Sequence, residues 1–202
     1  APNLTTDVGS GLGRIRAEDI AAFLKHGHGG GLVPFGSMVQ VVEDSTQYMT
    51  DGDLAAIARY LKDLPAQKPA SAYAPRSSVA RMSVQALRTG AMERPGAGIF
   101  LSFCAKCHGV EGMGKPNKYP RLAGNPTVLA PEVTSLVRLV VEGGRAPHTE
   151  GGPQPEKMPA FGPKLTSEEI AHVLTFVRSM WGNEAAPVTS RDVASLRESI
   201  HK

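Results

Sequence analysis

The feature that most constrains this 202-residue chain is a run near its middle, Cys104-Ala105-Lys106-Cys107-His108. It has the C-x-x-C-H spacing of c-type haem attachment. In that pattern each thiol forms a thioether bond to the haem, and the histidine becomes the proximal ligand of the iron. Both cysteines of the chain lie in the run. The sequence therefore predicts one covalently bound haem c, with its iron, held by Cys104, Cys107 and His108.

A C-x-x-C pair also occurs in zinc half-sites, in thioredoxin-like redox pairs and in disulfides. A structural zinc site needs about four ligands, usually as two closely spaced pairs. No second such pair follows the motif among the other histidines, which are His26, His28, His148, His172 and His201. A redox dithiol belongs beside a strand–helix–strand pattern, and this sequence has no convincing alternating strands. The residues favour haem attachment.

Met158, fifty positions after His108, is the candidate for the distal iron ligand. Histidine and methionine together fill the axial positions, which suits electron transfer and raises the reduction potential. Prolines make the stretch around Met158 extended and stiff; they are Pro153, Pro155, Pro159 and Pro163. Met113 lies too close to the motif to reach the opposite face of the ring. The methionines predicted to fill gaps in the core instead are Met82, Met92 and Met180.

Pro120 follows His108 by twelve residues. A carbonyl near this point can accept a hydrogen bond from the second ring nitrogen of the histidine, which would fix its tautomer and tune the iron. An ordinary turn proline is the alternative. Three glycines are predicted to let the backbone pass close to the porphyrin, with a plain flexible loop as the alternative; they are Gly109, Gly112 and Gly114.

Helical spacing of apolar residues predicts an all-α fold. A class I cytochrome c-like haem domain is expected at residues 95–183. It is preceded by a partial second cytochrome c-like unit, residues 1–64, that lacks a haem attachment motif. Residues 65–94 are expected to form a Pro/Ala-rich linker and a short helix. Residues 184–202 are expected to form a tail with a short amphipathic helix, for which packing is favoured over a membrane anchor.

The helices predicted for the haem domain are residues 96–105, residues 131–142 and a last helix that opens at Thr166. Glu169 completes a capping box with Thr166. Phe176 is expected to pack across the first helix near Gly96 to Phe100, and Trp181 to lie in the core. A short helix at residues 79–89 is predicted to turn inward Val79, Met82 and Leu87.

The N-terminal third repeats the end of this plan, and internal repeats indicate repeated structural units. Residues 50–62 align with residues 166–178 in their cap, acidic, apolar, aromatic and basic positions. Residues 17–25 resemble the middle helix. Met38 stands like a distal ligand in the loop before the last helix, with a buried core methionine as the alternative. So short a unit buries a small core, so we expect it to lean on the haem domain or to come from a longer parent.

Five stretches spread over the chain carry a resemblance to a known family. They are Ala1-Pro2-Asn3-Leu4-Thr5-Thr6-Asp7, Ser45-Thr46-Gln47-Tyr48-Met49-Thr50, Pro120-Arg121-Leu122-Ala123-Gly124-Asn125, Met158-Pro159-Ala160-Phe161-Gly162 and Trp181-Gly182-Asn183. The chain resembles the multi-haem cytochrome c subunits of membrane-bound alcohol, aldehyde, gluconate, sorbitol and fructose dehydrogenases of acetic acid bacteria and their relatives. Those subunits have three haem domains, and this sequence is similar to the end of the second domain plus all of the third.

The resemblance implies a non-catalytic subunit that passes electrons from a dehydrogenase subunit bearing flavin or pyrroloquinoline quinone to ubiquinone in the membrane. It implies thioether links at Cys104 and Cys107, with His108 proximal. It makes Met158 the distal ligand and matches Met38 to the distal position of the second haem. It transfers no quinone-binding residue.

Location and partners follow from simple considerations. Thioether attachment takes place outside the cytoplasm, so we expect the periplasmic side of the bacterial cytoplasmic membrane. A net charge of +3 is too small for a nucleic-acid-binding protein, which needs a concentrated basic face. No apolar run approaches membrane-spanning length. A chain that begins at Ala1-Pro2-Asn3 is expected to be mature or cut from a longer one.

Two rival functions stay open at this point. A haem enzyme such as a peroxidase would have an open iron site and a distal acid–base group, for which His148 is the nearby candidate. A free-standing soluble monohaem carrier would use residues 1–64 as an accessory segment.

Overall fold

The computed structural model describes residues 3–66, 72–75 and 77–200, without the side chain of Val79. Part of the predicted linker, residues 67–71 and Arg76, lies outside the described residues. The helices of the N-terminal part are α1 (Ala17–His26), α2 (Ser37–Asp44) and α3 (Asp51–Asp63), with a single 3₁₀ turn at Thr46–Tyr48.

Local chemistry explains where these N-terminal helices begin and end. Helix α1 stops at Gly27, whose φ of 71° places it in the left-handed conformation that ends many helices. Helix α3 begins after Thr50, whose side chain accepts a hydrogen bond from the amide of Asp53. Met38 lies in the first turn of α2 rather than in a loop, because the helix already starts at Ser37. Its side chain is half-buried.

The remaining described helices surround the main core. They are α4 (Ser78–Arg88), α5 (Ala97–Phe103), α6 (Ala105–His108), α7 (Pro126–Leu129), α8 (Thr134–Glu142), α9 (Ser167–Ser179) and α10 (Ser190–Ile200). The predicted middle helix therefore starts three residues late, and α9 begins as predicted with a complete capping box between Thr166 and Glu169.

Two short antiparallel pairings add strands to this helix-rich fold. Strand β1 (Ala72–Tyr73) pairs with β4 (Asn183–Glu184), and β2 (Gly144–Arg145) pairs with β3 (Lys157–Met158). The first pairing joins residues 72–73 of the predicted linker to the segment after α9. The second pairing holds the predicted distal methionine. The fold is therefore helix-rich but not wholly helical.

An aromatic cluster fixes the crossing of α5 and α9. The ring centroids of Phe100 and Phe176 lie 5.7 Å apart, and Trp181 lies 5.3 Å from Phe100. All three side chains are buried. Gly96 permits this crossing, because a Cβ there would lie 2.3 Å from the carbonyl oxygen of His172. The predicted packing of Phe176 across the first helix is present, at Phe100.

Helix α4 corrects one part of the sequence interpretation. Leu87 is buried, but Met82 is 72% exposed and does not face the core. At 3.6 residues per turn, positions 82 and 87 lie about 140° apart around a helix, so one flat contact cannot bury both. Val84, nearer to Leu87 on the helix, packs against the core instead. The side chain of Val79 lies outside the description.

The C-terminal tail forms the predicted helix, and that helix packs on the cytochrome-like part. Val193 of α10 is fully buried in the main core. Arg197 donates hydrogen bonds to the carbonyls of Leu165 and Gly162. The apolar stripe of α10 therefore packs against the core in this structure. No helix within the described residues is long and apolar enough to cross a bilayer.

The N-terminal part packs against the rest of the chain through several hydrogen bonds. Arg14 donates to the carbonyl of Gly124 at 2.9 Å, and the Thr149 hydroxyl donates to the carbonyl of His26 at 3.3 Å. Its own small core contains Ile15, Ile20 and Ala58. The N-terminal part is therefore supported by contacts with the cytochrome-like part, as expected for a unit with so small a core.

Two glycines in and beside α5 give a matched test of the helix crossing. We expect Gly96→Ala to lower the free energy of unfolding by about 2–4 kcal/mol, from overpacking and from strain at its φ of 87°. Gly98 has no atom within 4 Å of its built Cβ, so Gly98→Ala should raise stability by up to about 1 kcal/mol. Chemical denaturation of both variants measures this. Equal effects would contradict the crossing.

Candidate haem-attachment site

The C-x-x-C-H run sits where one helix ends and another begins. Helix α5 stops at Phe103, and Cys104 takes φ −117°, ψ −37° before α6 starts at Ala105. The amide of His108 donates to the carbonyl of Cys104 at 3.0 Å. The predicted single helix over residues 96–105 is therefore two helices with a break at the first cysteine. This break places both thiols and the imidazole within one turn of chain.

Neither cysteine forms a disulfide, and both are half-buried. Burial, with a smaller contribution from neighbouring Cys107, raises the pKa of Cys104 to about 11. The Cys104 thiol is therefore protonated at neutral pH. Within the described residues, no group of three or more histidine, cysteine, aspartate or glutamate side chains is arranged to hold a metal ion.

His108 is oriented by the backbone of the loop that follows it. Its Nδ1 donates to the carbonyl of Pro120 at 2.9 Å. Burial lowers the pKa of His108, and the hydrogen bond to Pro120 opposes this effect. The ring is therefore neutral at pH 7, with the proton on Nδ1 and the lone pair on Nε2. This is the tautomer that an iron-binding imidazole needs.

The loop between His108 and Pro120 requires glycine at two positions for its own folding. A Cβ on Gly112 would lie 2.6 Å from the ring of Trp181, and one on Gly114 would lie 2.3 Å from the carbonyl oxygen of Tyr119. Both glycines have positive φ. Their small size lets the loop fold on itself and on Trp181, whose indole donates to the carbonyl of Val110.

Met158 is held by backbone pairing. It faces Gly144 across the β2–β3 ladder, and it is half-buried against the main core. Gly143 packs closely beneath this strand, because a Cβ there would lie 2.5 Å from the carbonyl oxygen of Met158. The competing methionine, Met113, is 55% exposed. The thioether therefore comes from a rigid segment.

The N-terminal part touches the segments on both sides of this site, which sequence reasoning missed. The carbonyl of Gly31 accepts from the amide of Arg121 at 2.9 Å. Glu43 pairs with the guanidinium of Arg145 and also accepts from the amide of His148 at 2.7 Å. These residues lie roughly a hundred positions apart, so local patterns carry no signal for them. His148, the candidate for a peroxidase-type distal group, is exposed.

The break at Cys104, the free thiols, the Nδ1-bonded His108 and the anchored Met158 fit a covalently attached haem. Residues 94–181 match the model of the cytochrome c family. This part of the chain is a cytochrome c domain, whose C-x-x-C-H motif implies haem c and its iron.

Curated relatives place the whole chain more narrowly. It is 41% identical over 201 residues to the cytochrome c subunit of the quinone-type alcohol dehydrogenase of Gluconacetobacter polyoxogenes, covering 98% of this chain and 42% of that protein. It is 39% identical over 201 residues to the gluconate 2-dehydrogenase cytochrome c subunit of Pantoea cypripedii, covering 98% and 45%. It is 31% identical over 216 residues to the fructose dehydrogenase cytochrome subunit of Gluconobacter japonicus, covering 98% and 43%.

The chain is therefore a homologue of the cytochrome c subunits of these dehydrogenase complexes, the family predicted from the sequence. It spans less than half the length of the curated relatives it matches.

The contact between Glu43 and Arg145 predicts a defined acid response. Hydrogen bonds from Arg145, then from the amide of His148, lower the pKa of Glu43 from 4.5 to about 2. Because the folded-state pKa is depressed, the stabilisation is complete above about pH 4.5 and is lost as the pH falls towards 2.

We expect Glu43→Gln to reduce stability slightly at pH 7 and to match the unmodified protein near pH 2. Denaturant titrations at several pH values measure this difference. Glu132→Gln, at an exposed glutamate, is the control for the removal of one surface carboxylate. A difference for Glu43→Gln that grows below pH 4.5 would contradict the assignment.

Proposed function

We propose that this chain is the electron-transferring cytochrome c portion of a dehydrogenase complex. It accepts electrons from a catalytic subunit that carries flavin or pyrroloquinoline quinone, and passes them to ubiquinone on the periplasmic side of the cytoplasmic membrane. The observation that carries the proposal is the C-x-x-C-H run with its His108 bonded through Nδ1 to the carbonyl of Pro120. The pairing of Met158 in the β2–β3 ladder supports it. The homology to dehydrogenase cytochrome subunits supports the choice of partner.

The roles of individual residues follow from this arrangement. Cys104 and Cys107 would form the thioether links, and His108, through Nε2, and Met158 would hold the iron. Haem held by these residues would supply a one-electron couple. The protein contributes an imidazole oriented by the carbonyl of Pro120 and a methionine whose backbone is held in the β2–β3 ladder. Ligands that scarcely move between oxidation states favour electron transfer over catalysis.

The apolar surface next to the motif is suited to contact with a redox partner. Leu101 and Phe103 lie on α5, immediately before Cys104, and are 39% and 42% exposed. Phe103 also packs against the ring of Phe161, three residues after Met158, with centroids 5.8 Å apart. Exposed apolar groups of this kind mark interaction sites, and transient redox contacts are small.

Residues 1–64 are proposed to be the end of a second cytochrome c-like unit. Two observations support this. Helix α3 and helix α9 are both thirteen residues long, and each begins after a threonine whose side chain accepts from the third residue on. Met38 corresponds to the distal ligand of that second haem. This chain supplies no cysteine to that unit, so we assign one haem to the residues of this chain.

Replacement of Met158 tests the axial assignment. We expect Met158→Ala to abolish the near-infrared methionine–iron charge-transfer band of the ferric protein and to lower the reduction potential, since methionine ligation raises it. Covalent haem should remain. Met113→Leu, at the exposed methionine nearest the motif, is the matched control and should keep both properties. An unchanged band in Met158→Ala would contradict the assignment.

Intact mass tests the number of haems. We expect one haem mass on the polypeptide as isolated, and none after Cys104→Ser and Cys107→Ser together. The free-standing carrier would differ from the proposed subunit in a second measurement, because it would purify without a dehydrogenase subunit. A high-spin ferric spectrum of the unmodified protein would instead support the peroxidase alternative.

A further inference from the structure

One peptide group stands between His108 and the N-terminal part of the chain. Its carbonyl, from Pro120, accepts from Nδ1 of His108 at 2.9 Å. Its N–H, from Arg121, donates to the carbonyl of Gly31 at 2.9 Å. Both hydrogen bonds have ordinary lengths. Together they form a continuous chain from the carbonyl of Gly31, through this peptide group, to the imidazole.

We propose that Gly31 is a positioning residue that tunes His108 through the Pro120–Arg121 peptide group. The proposal rests on the proposed function, because it takes His108 as the proximal iron ligand. It assigns to the N-terminal part a role beyond packing. Whatever moves residues 29–32 changes the hydrogen bond to the imidazole, and hence the potential at which the cytochrome domain accepts an electron.

The direction of the effect follows from hydrogen-bond polarisation. When a peptide N–H donates to an acceptor, its carbonyl becomes a stronger acceptor, because hydrogen bonds in a chain strengthen one another. A stronger bond at Nδ1–H makes the imidazole a more basic ligand. A more basic ligand stabilises ferric over ferrous iron and lowers the potential. Loss of the Gly31 bond should therefore raise the potential.

The position of Gly31 is fixed by its own turn. Gly29 and Leu32 exchange two backbone hydrogen bonds of 3.2 and 2.8 Å, which close the turn around Gly31. Gly29 lies directly on α1, because a Cβ there would lie 1.8 Å from the carbonyl oxygen of Asp19. Gly31 has φ +77°, and its Cβ would lie 3.1 Å from Cδ of Arg121. A side chain at either glycine should displace the acceptor from the Arg121 amide.

The test compares Gly31→Ala and Gly29→Ala with Gly36→Ala in the full haem-bearing protein. Gly36 also has positive φ, of 59°, but nothing lies within 4 Å of its built Cβ, so it controls for backbone strain. We expect the first two variants to speed hydrogen exchange at the Arg121 amide at least tenfold. We also expect about a threefold shift of the ferric-to-ferrous ratio towards ferrous at a fixed potential. That shift equals about 28 mV in the positive direction, at 59 mV per tenfold for one electron.

Arg121→Ala separates the peptide group from the side chain. This variant keeps the backbone N–H but removes a positive charge. Removal of that charge favours ferric iron and should therefore lower the reduction potential. The sign of the change in potential therefore distinguishes loss of the hydrogen-bond chain from displacement of the Arg121 charge. A lower or unchanged potential in both Gly31→Ala and Gly29→Ala, relative to Gly36→Ala, would overturn the proposal. Absence of covalent haem or of the methionine–iron band in the unmodified protein would contradict the proposed function itself. The proposed tuning of His108 by Gly31 would then also be contradicted.

Discussion

A single backbone carbonyl, that of Pro120, decides which nitrogen of His108 is available to a metal. Without that acceptor a buried neutral imidazole has two tautomers of similar energy, and only one of them presents its lone pair on Nε2. The carbonyl is placed by a loop whose turns require glycine at positions 112 and 114. That loop is in turn held against Trp181, which belongs to the aromatic cluster between α5 and α9. The chemistry of the site therefore depends on the core through a short series of contacts.

The distal side is organised on a different principle. Met158 gains its position from two-residue strand pairing and from the close fit of Gly143 beneath it. The N-terminal part reaches both sides, through Gly31 at the Pro120–Arg121 peptide group and through Glu43 at Arg145, the residue next to the partner of Met158. A segment without its own cysteines thus borders the supports of both predicted axial ligands. These contacts explain how a segment with so small a core stays attached to the cytochrome domain.

The sequence predicted those features that are written in neighbouring residues. The spacing of Cys104, Cys107 and His108 indicated the attachment site, and Thr166 with Glu169 indicated the start of α9. Sequence-based prediction failed where the structure depends on the angular position of a residue around a helix or on contacts between residues far apart in the chain. Met82 was expected inside, but its position around α4 turns it to solvent. The β2–β3 ladder, the Gly31–Arg121 bond and the Glu43–Arg145 pair join residues far apart in the chain, and no local pattern encodes such partners. The ligand roles of Met158 and Met38 stay predictions.

Rigidity on both sides of the site has a direct consequence for electron transfer. A ligand that is held by the protein, and not only by the metal, keeps its position when the charge on the metal changes, so little energy is spent on rearrangement. His108 is held through its second nitrogen, and Met158 through its backbone. An enzyme that activates a bound substrate would need one of these positions to open. The strand pairing and the packed Gly143 hold the backbone of Met158, and a held ligand of this kind is what the proposed electron transfer would need.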